Sequence, residues 1–444
     1  LIVEIVSGVP FNDYVQQNIF DPLGMTRSSF QEPLPANLEE HMAGSYKVEL
    51  GAYVEKDFEI IANFGPAGAQ SATAPDMVRF GQAILNGGVL DGKRILKAET
   101  VEEMLTPNFS HDDRTTAMLL GFYETDYNGH RVVGHGGDTI YFHSYLGIDH
   151  EADLVFFVSF ASGGGSPTRS AFAPALYNQF FPRNESPPAP PEDFLERGAK
   201  YAGNYGFWRG NFSKIEKAFT LGSSIQVAPT EDNTLLVAFA GGAKQYVEVE
   251  ENLFRELDSN ISLIAGISPR LIAFQENDAG AITGFVFDGL PFMSARKLPS
   301  YETANFNFSL LGLSLLIFLA VVLRRWYQRR EIALLYGPDR TAFNASFYTS
   351  LAHLVTLAVG AVVVSIVADD LINGFPLVFK LWLILPIIST LASFYLLFRA
   401  IGVWKQKLFT GVWARIRFTL VTLSALLMAW FYYFWNILGF QYIV

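Results

Sequence analysis

The spacing of apolar residues changes character near residue 300. Beyond it, four apolar runs at 306–323, 347–368, 377–398 and 418–440 each approach the length a helix needs to cross a hydrocarbon layer. Before it, short periodic segments alternate with turns. Phe11, Tyr14, Val15 and Ile19 recur at helical spacing within 10–20, with Pro10 at the start and Asp21-Pro22-Leu23-Gly24 at the end. Further helices are expected at 75–85, with Pro75-Asp76 in the first turn, and at 98–105 and 167–181. Strands are expected at 129–134, 143–148 and 154–160. Ser186-Pro187-Pro188-Ala189-Pro190-Pro191 reads as a stiff, extended connection. The next block holds β-rich runs at 220–226, 234–239, 245–249, 271–275 and 281–287, separated by turns such as Glu231-Asp232-Asn233. That pattern predicts a small antiparallel barrel or sandwich. Its aromatics Tyr201, Tyr205, Phe207 and Trp208 are expected in the core. The expected organisation is a mixed α/β domain over 1–182, a Pro-rich linker over 183–197, a β-rich domain over 198–298 and a four-helix transmembrane region over 301–444.

Charge follows the same division. Of 32 basic and 43 acidic side chains, 11 basic and 5 acidic lie after Ser300, which leaves the first 300 residues at net −17. An acidic soluble part excludes nucleic acid as a partner, because that role needs a basic face. Within the apolar region the first connection carries Arg324, Arg325, Arg329, Arg330 and Arg340, and the third carries Arg399, Lys405, Lys407, Arg415 and Arg417. The second carries Asp369 and Asp370. By the positive-inside rule this places residues 1–300 outside the cytoplasm, periplasmic or extracellular, in a multi-pass membrane protein that contacts lipid. Trp326, Trp382, Trp404, Trp413 and Trp435 fall near span ends, where aromatic belts form. His353, the ionisable residue well inside a span, reads as packed, and Pro386 as a kink.

There is no cysteine, which excludes thiol nucleophiles, thiolate metal sites and disulfides. No metal motif is found, and no cofactor is expected. The chemistry concentrates in His135-Gly136-Gly137-Asp138-Thr139, between strands. Two glycines at a strand edge leave a groove without side-chain walls, where a backbone N–H can face a developing oxyanion. Ser71 and Ser144, the nearest serines, sit in neither a Ser-x-x-Lys nor a Gly-x-Ser-x-Gly elbow and read as capping or strand residues. His135 and His143 are expected to be separated by an interruption at Asp138-Thr139.

Four segments, in order, resemble the class C beta-lactamase-like serine hydrolases, a penicillin-binding-protein-like family. They are the run from Ile2 to Phe11; the run Ile19-Phe20-Asp21-Pro22-Leu23-Gly24-Met25-Thr26-Arg27-Ser28-Ser29-Phe30; Gly65-Pro66-Ala67-Gly68 with the helix start at Ser71 to Met77; and the His-Gly-Gly run, which sits where the family has Lys-Thr-Gly or His-x-Gly. The resemblance implies the C-terminal portion of a beta-lactamase/transpeptidase-like α/β (α+β) domain, lacking its N-terminal part, and acyl transfer through a serine. It implies His135 as the first motif residue, Gly137 as the motif glycine, and the Asp138 N–H as an oxyanion donor. It implies that Gly136, Thr139 and Phe142 line the substrate groove. Residues 198–298 resemble, more distantly, the β-rich domain appended to such hydrolases.

The chain departs from the family at Tyr141-Phe142, where many members have Gly-Phe, and at Gly68-Ala69-Gln70, where many have Gly-Gly-Leu. The chain is read as lacking Ser-x-x-Lys and Tyr-x-Asn. It opens on Leu1 and is expected to be a fragment, with both motifs upstream. The expected substrate is an ester, an amide or a D-amino-acid peptide. Two readings stay open beside the enzyme: an inactive hydrolase fold that binds or senses, and a membrane region that does the work itself. A protein partner of the spans is not identifiable from the sequence.

Overall fold

The computed structural model describes residues 1–61, 65–183, 186–239, 242–257, 269–368, 371 and 374–442. They divide into two units, 1–209 with 225–297 and 210–224 with 298–444.

In the first unit the helices Phe11–Val15, Gln16–Phe20 and Asp21–Leu23 follow one another directly, and Gly24 ends them at φ 63. Their face of Val15, Phe20 and Leu23 buries against Ala83. Ala83 belongs to α1 (Ala74–Leu85), whose N-cap is Thr73. In its first turn Asp76 is buried and accepts from the Arg27 N–H at 2.8 Å and the Ser28 hydroxyl at 2.9 Å, which ties the 27–28 loop to the helix. Next come α2 (Ala98–Leu105), the strands β1 (Tyr123–Tyr127), β2 (His130–Asp138), β3 (Phe142–Asp149) and β4 (Leu154–Ala161), and α3 (Gly165–Phe180). The four strands form one antiparallel sheet in chain order.

Period-two alternation sends Val133, Leu146 and Ile148 to one face, under Ile84 of α1 and Val101 of α2. It sends Val132, Tyr145 and Phe156 to the other, under Ala173 and Tyr177 of α3. Helix α1 approaches so closely that a Cβ on Gly81 would lie 2.5 Å from a methyl of Val155. Strand β2 was expected to stop at 134 but continues to Asp138. Its β3 edge stays paired as far as Asp138 opposite His143, while β1 reaches only Tyr123 opposite Gly134. His135 and His143 therefore lie on neighbouring paired strands, with the hairpin turn between them.

Eight further strands close an antiparallel barrel: β5 (Gly203–Phe207), β6 (Ile225–Pro229), β7 (Leu235–Phe239), β8 (Gly242–Glu250), β9 (Leu253–Glu256), β10 (Leu271–Glu276), β11 (Ile282–Phe287) and β12 (Ser294–Lys297), which returns to β5. Closure leaves no free edge. The core is rich in aromatics, with Tyr205, Phe254, Phe274, Phe285 and Phe287 of the strands and Tyr201 of the turn before β5 buried together and Phe207 packed against them. Trp208 corrects the core expectation: it is 54% exposed, with the Arg296 guanidinium 5.6 Å above its ring. Strand β6 begins five residues later than the apolar run at 220–226 suggested, because Ile215–Thr220 forms a 3-10 helix in the second unit.

The second unit holds four helices long and apolar enough to cross a membrane: α4 (Ala304–Tyr327), α5 (Gly337–Val367), α6 (Leu377–Lys405) and α7 (Val412–Phe434). Their contact faces are small and polar. Ser346, Thr349, Ser350, His353 and Thr356 recur on one face of α5 and are buried. Both His353 ring nitrogens are engaged, Nδ1 with the Tyr432 hydroxyl at 3.2 Å and Nε2 with Ser393 Oγ at 2.9 Å. Thr356 Oγ1 meets Ser389 Oγ at 2.8 Å. In hydrocarbon such interhelical bonds and close approach replace a hydrophobic driving force.

Helix α6 breaks at Leu383 because Pro386 has no N–H for the carbonyl of Trp382. Helix α7 stops at Phe434, short of the apolar run's end at 440, because Asn436 takes φ 55 and the Ile437 and Leu438 N–H groups turn back to Tyr432 O. Trp382 and Trp435 correct the belt expectation, since they donate inside the bundle to Thr356 O at 3.0 Å and Asn307 Oδ1 at 2.9 Å. The segment 210–224 joins this unit. Ile215 is buried with Val363, Val367 and Phe379, and Lys217 Nζ donates to Phe434 O at 2.7 Å, at the carbonyl end of α7. Asp369 and Asp370 lie outside the described residues.

Candidate functional site

Past Gly134, strand β2 has one paired edge and one edge without a strand neighbour among the described residues. Backbone N–H groups alternate between the two edges of a strand. The Thr139 N–H bonds Phe142 O at 2.9 Å, on the β3 side, whereas the Gly136 N–H points the other way and donates to the Tyr123 hydroxyl at 2.9 Å. The same alternation turns the Asp138 N–H to the unpaired edge.

The side chains of this stretch divide between the two faces. Gly137 lies opposite Ser144, and with Asp138, Thr139, Phe142, Ser144 and Ser159 it borders a cavity of about 550 Å³. The far wall is the 66–73 segment, which starts in the short helix Gly65–Gly68, with Phe30 and Ile61. The cavity exists because α1 covers only part of this face, over Leu146 and Phe157, while the strand ends beyond it carry Gly, Ser and Ala. Gly136 faces the other way. A Cβ there would meet Arg169 Nη1 at 2.5 Å, so only glycine lets the guanidinium cross it. Arg169 Nη2 reaches Asp138 Oδ2 at 2.8 Å, and His143 Nδ1 meets Asp138 Oδ1 at 2.6 Å. These two bonds hold the residue whose N–H lines the open edge.

A carboxylate can only accept, so Nδ1 of His143 carries the proton. Its Nε2 is buried with no hydrogen-bond partner among the described residues. By the same logic His135, which is exposed, donates from Nδ1 to Gly136 O at 2.7 Å. Tyr123 is buried, and burial pushes its phenol well up, so it stays neutral and receives the Gly136 N–H.

Thr139 is committed to the turn. Its hydroxyl donates to Glu59 Oε2 at 2.6 Å, and the same carboxylate accepts the Ile140 and Tyr141 N–H groups at 2.9 Å each. Glu59, Tyr123, His143 and Arg169 are the supporting residues that the sequence reading missed. Arg169 and His143 carry chemically suggestive side chains, but nothing in their spacing pairs them with Asp138. Glu59 lies 80 residues from its partner.

His41 lines the same cavity, but no base is hydrogen-bonded to the cavity's serines among the described residues. Ser71 exchanges backbone bonds with Ser29, and the hydroxyls of Ser71, Ser144 and Ser159 have no lysine, histidine or tyrosine partner among the described residues. The spacing Ser-x-x-Lys does occur in the chain, at Ser294-Ala295-Arg296-Lys297, which corrects the reading that it is missing. It lies in β12, where positions i and i+3 point to opposite faces, so the two side chains cannot cooperate as they would at a helix start. Burial lowers the Lys297 ammonium, and its Nζ donates to Lys200 O at 2.8 Å.

Residues 1–177 match the family model described as Beta-lactamase. PbpX of Bacillus subtilis (strain 168), which by its name is placed among penicillin-binding proteins, is 29% identical over 134 residues, covering 30% of this chain and 31% of that protein. Penicillin-binding protein 4 of Amycolatopsis lactamdurans is 31% identical over 154 residues, covering 33% of this chain and 40% of that protein. Among solved structures, the octameric penicillin-binding protein homologue from Pyrococcus abyssi aligns with a TM-score of 0.35 at 20% identity, over 67% of this chain and 62% of that one. The matched segments span about a third of the length of the curated relatives. Residues 1–177 are thus the part of the chain that matches the beta-lactamase/transpeptidase-fold family, here joined to four apolar helices.

Proposed function

We propose that the 135–139 edge and its cavity form the oxyanion side of a serine acyl-transfer cleft. The protein would then be a membrane-anchored hydrolase acting on an ester, an amide or a D-amino-acid peptide outside the cytoplasm. The observation that carries the reading is the Asp138 N–H, turned to an unpaired strand edge beside the cavity. An extended substrate adds along that edge as one more strand, with pockets for alternate side chains. Gly137 leaves room for the reacting carbonyl, whose oxygen accepts from Asp138. One such donor contributes about 3 kcal/mol to barrier lowering. His135 borders the groove where the family also uses lysine. A histidine carries less positive charge at neutral pH, which favours neutral esters and peptides over penicillin-type anions. The arginine-rich connections on one side of the bundle support the outward placement.

The test is covalent labelling by a fluorophosphonate probe. The 444-residue chain is expected to stay unlabelled, because no cavity serine is hydrogen-bonded to a base among the described residues. A form that joins this chain to a segment bearing the family's Ser-x-x-Lys is expected to label, and to lose labelling on Ser→Ala replacement in that motif. Absence of labelling in that form would favour the second reading, a binding module. That reading is supported by the same cavity serines.

A further inference from the structure

The second unit contains a cavity of about 810 Å³ that the hydrolase reading does not use. It lies at the arginine-rich end of the bundle, between the last turns of α4, the first turns of α7 and the two connections on that side. Three cations border it: Arg324, Lys407 and Arg417. Arg417 and Lys407 have no ion-pair or hydrogen-bond partner among the described residues, and Arg324 bonds only the Gln328 amide oxygen, at 2.6 Å. Of the two carboxylates in the lining, Asp339 is occupied by the Phe409 N–H at 2.6 Å, and Glu331 partly offsets the charge of Arg324 without a hydrogen bond to it, so the three cations outnumber the carboxylates. The remaining wall is apolar and belongs to the spans themselves, with Ile317 and Val321 on α4 and Leu420 and Val421 on α7.

Guanidinium groups that converge on one cavity without a carboxylate hydrogen-bonded to either call for a phosphate, which they bind through several parallel N–H donors. Walls made of membrane-spanning helices call for a ligand with a hydrocarbon tail. Basic pockets between spans on the positively charged side are where anionic headgroups bind. We propose that this cavity is a binding site for an anionic phospholipid of the leaflet on the arginine-rich side, with the phosphate between Arg324 and Arg417 and an acyl chain along α4 and α7. Lipid there would fasten the α4–α7 seam.

The experiment uses the full chain in nanodiscs of phosphatidylglycerol or of phosphatidylcholine with the same acyl chains, read by thermal unfolding and by native mass spectrometry for retained lipid. Phosphatidylglycerol is expected to raise Tm by about 3 °C or more over phosphatidylcholine and to remain bound. R324Q/R417Q should abolish both effects. Ala320→Trp, at an exposed position in the cavity lining, should block the chain without touching the charges. R329Q/R330Q, outside the lining, should leave both intact. Equal behaviour in the two lipids, or an equal loss in R329Q/R330Q, would overturn the proposal in favour of diffuse surface charge. An equal shift from soluble glycerol 3-phosphate would overturn it in favour of a simple anion site. If R324Q/R417Q fails to fold, retention of lipid by the Ala320→Trp form decides against it.

Discussion

The two ends of the four-stranded sheet each carry a histidine–aspartate pair, and the two pairs are built for different work. At one end Asp149 is fully buried. It accepts from His130 Nδ1 at 2.9 Å, the Tyr177 hydroxyl at 2.8 Å and the Glu151 and Ala152 N–H groups at 3.0 Å each. At the other end Asp138 is 44% exposed in its side chain and is held by His143 and Arg169. There the Gly136 N–H goes to a tyrosine, and among the described residues the Asp138 N–H faces an edge with no strand neighbour and one His143 nitrogen is buried without a partner. A saturated network fixes a fold, whereas an unsaturated one beside a cavity leaves a backbone donor for a ligand.

The largest test of this difference is loss of each carboxylate. D149A should cost about 3–5 kcal/mol in chemical unfolding, because it strands buried donors. D138A should cost less, about 1–3 kcal/mol, since Asp138 itself is half exposed although its loss leaves the largely buried His143 and Arg169 donors without their acceptor. Comparable losses would erase the distinction. E59A should cost about 2–3 kcal/mol through the three donors left in the 139–141 turn. Its specific signature is faster amide exchange at Ile140 and Tyr141, with no change at Glu151. G136A should cost about 1–3 kcal/mol by overpacking against Arg169, while G137A, which meets only the movable Ser144 hydroxyl, should cost less.

Asp288 sharpens the comparison, because it is buried like Asp149 but poorly compensated. Burial raises its carboxyl above the ordinary 3.8, against opposing bonds from Thr116. A raised folded value means the folded state holds its proton longer. The stability this group allows is therefore full below about pH 3.8 and is lost as pH rises through the folded value. D288N should raise Tm at pH 7 by about 1–2 °C and flatten the loss with pH. An unchanged profile would count against it. The smallest expected effect is His135→Lys, which leaves Tm unchanged and tightens a carboxylate-bearing peptide by about 1.5- to 5-fold in titration calorimetry, an effect that fades with salt.

What could be read from the sequence follows from which forces are local. The four spans are a matter of composition over twenty-odd residues, so hydropathy located them. It missed the stop at Phe434, which depends on Asn436 adopting a left-handed backbone. The barrel's alternation was visible at Leu235, Val237, Phe285 and Phe287, but Ile215–Thr220 looked like part of the same block and instead packs with helices. At the site, glycines 136 and 137 announced a bare strand edge. Their division of labour was not legible, because one makes room for Arg169 and the other borders the cavity. The length of β2 was misjudged for a related reason. Asp138 and Thr139 look like turn residues until His143 and Glu59 engage their side chains.

The central claim is that the Asp138 N–H and its cavity receive an extended substrate. Amide hydrogen exchange of the full chain, with and without a D-alanyl-D-alanine peptide, tests it most directly. Added peptide should slow exchange at Asp138 at least several-fold and leave Glu151 and Ala152, at the saturated end of the sheet, unchanged. Peptide bound with Asp138 unprotected, or with protection confined to the barrel, would contradict it.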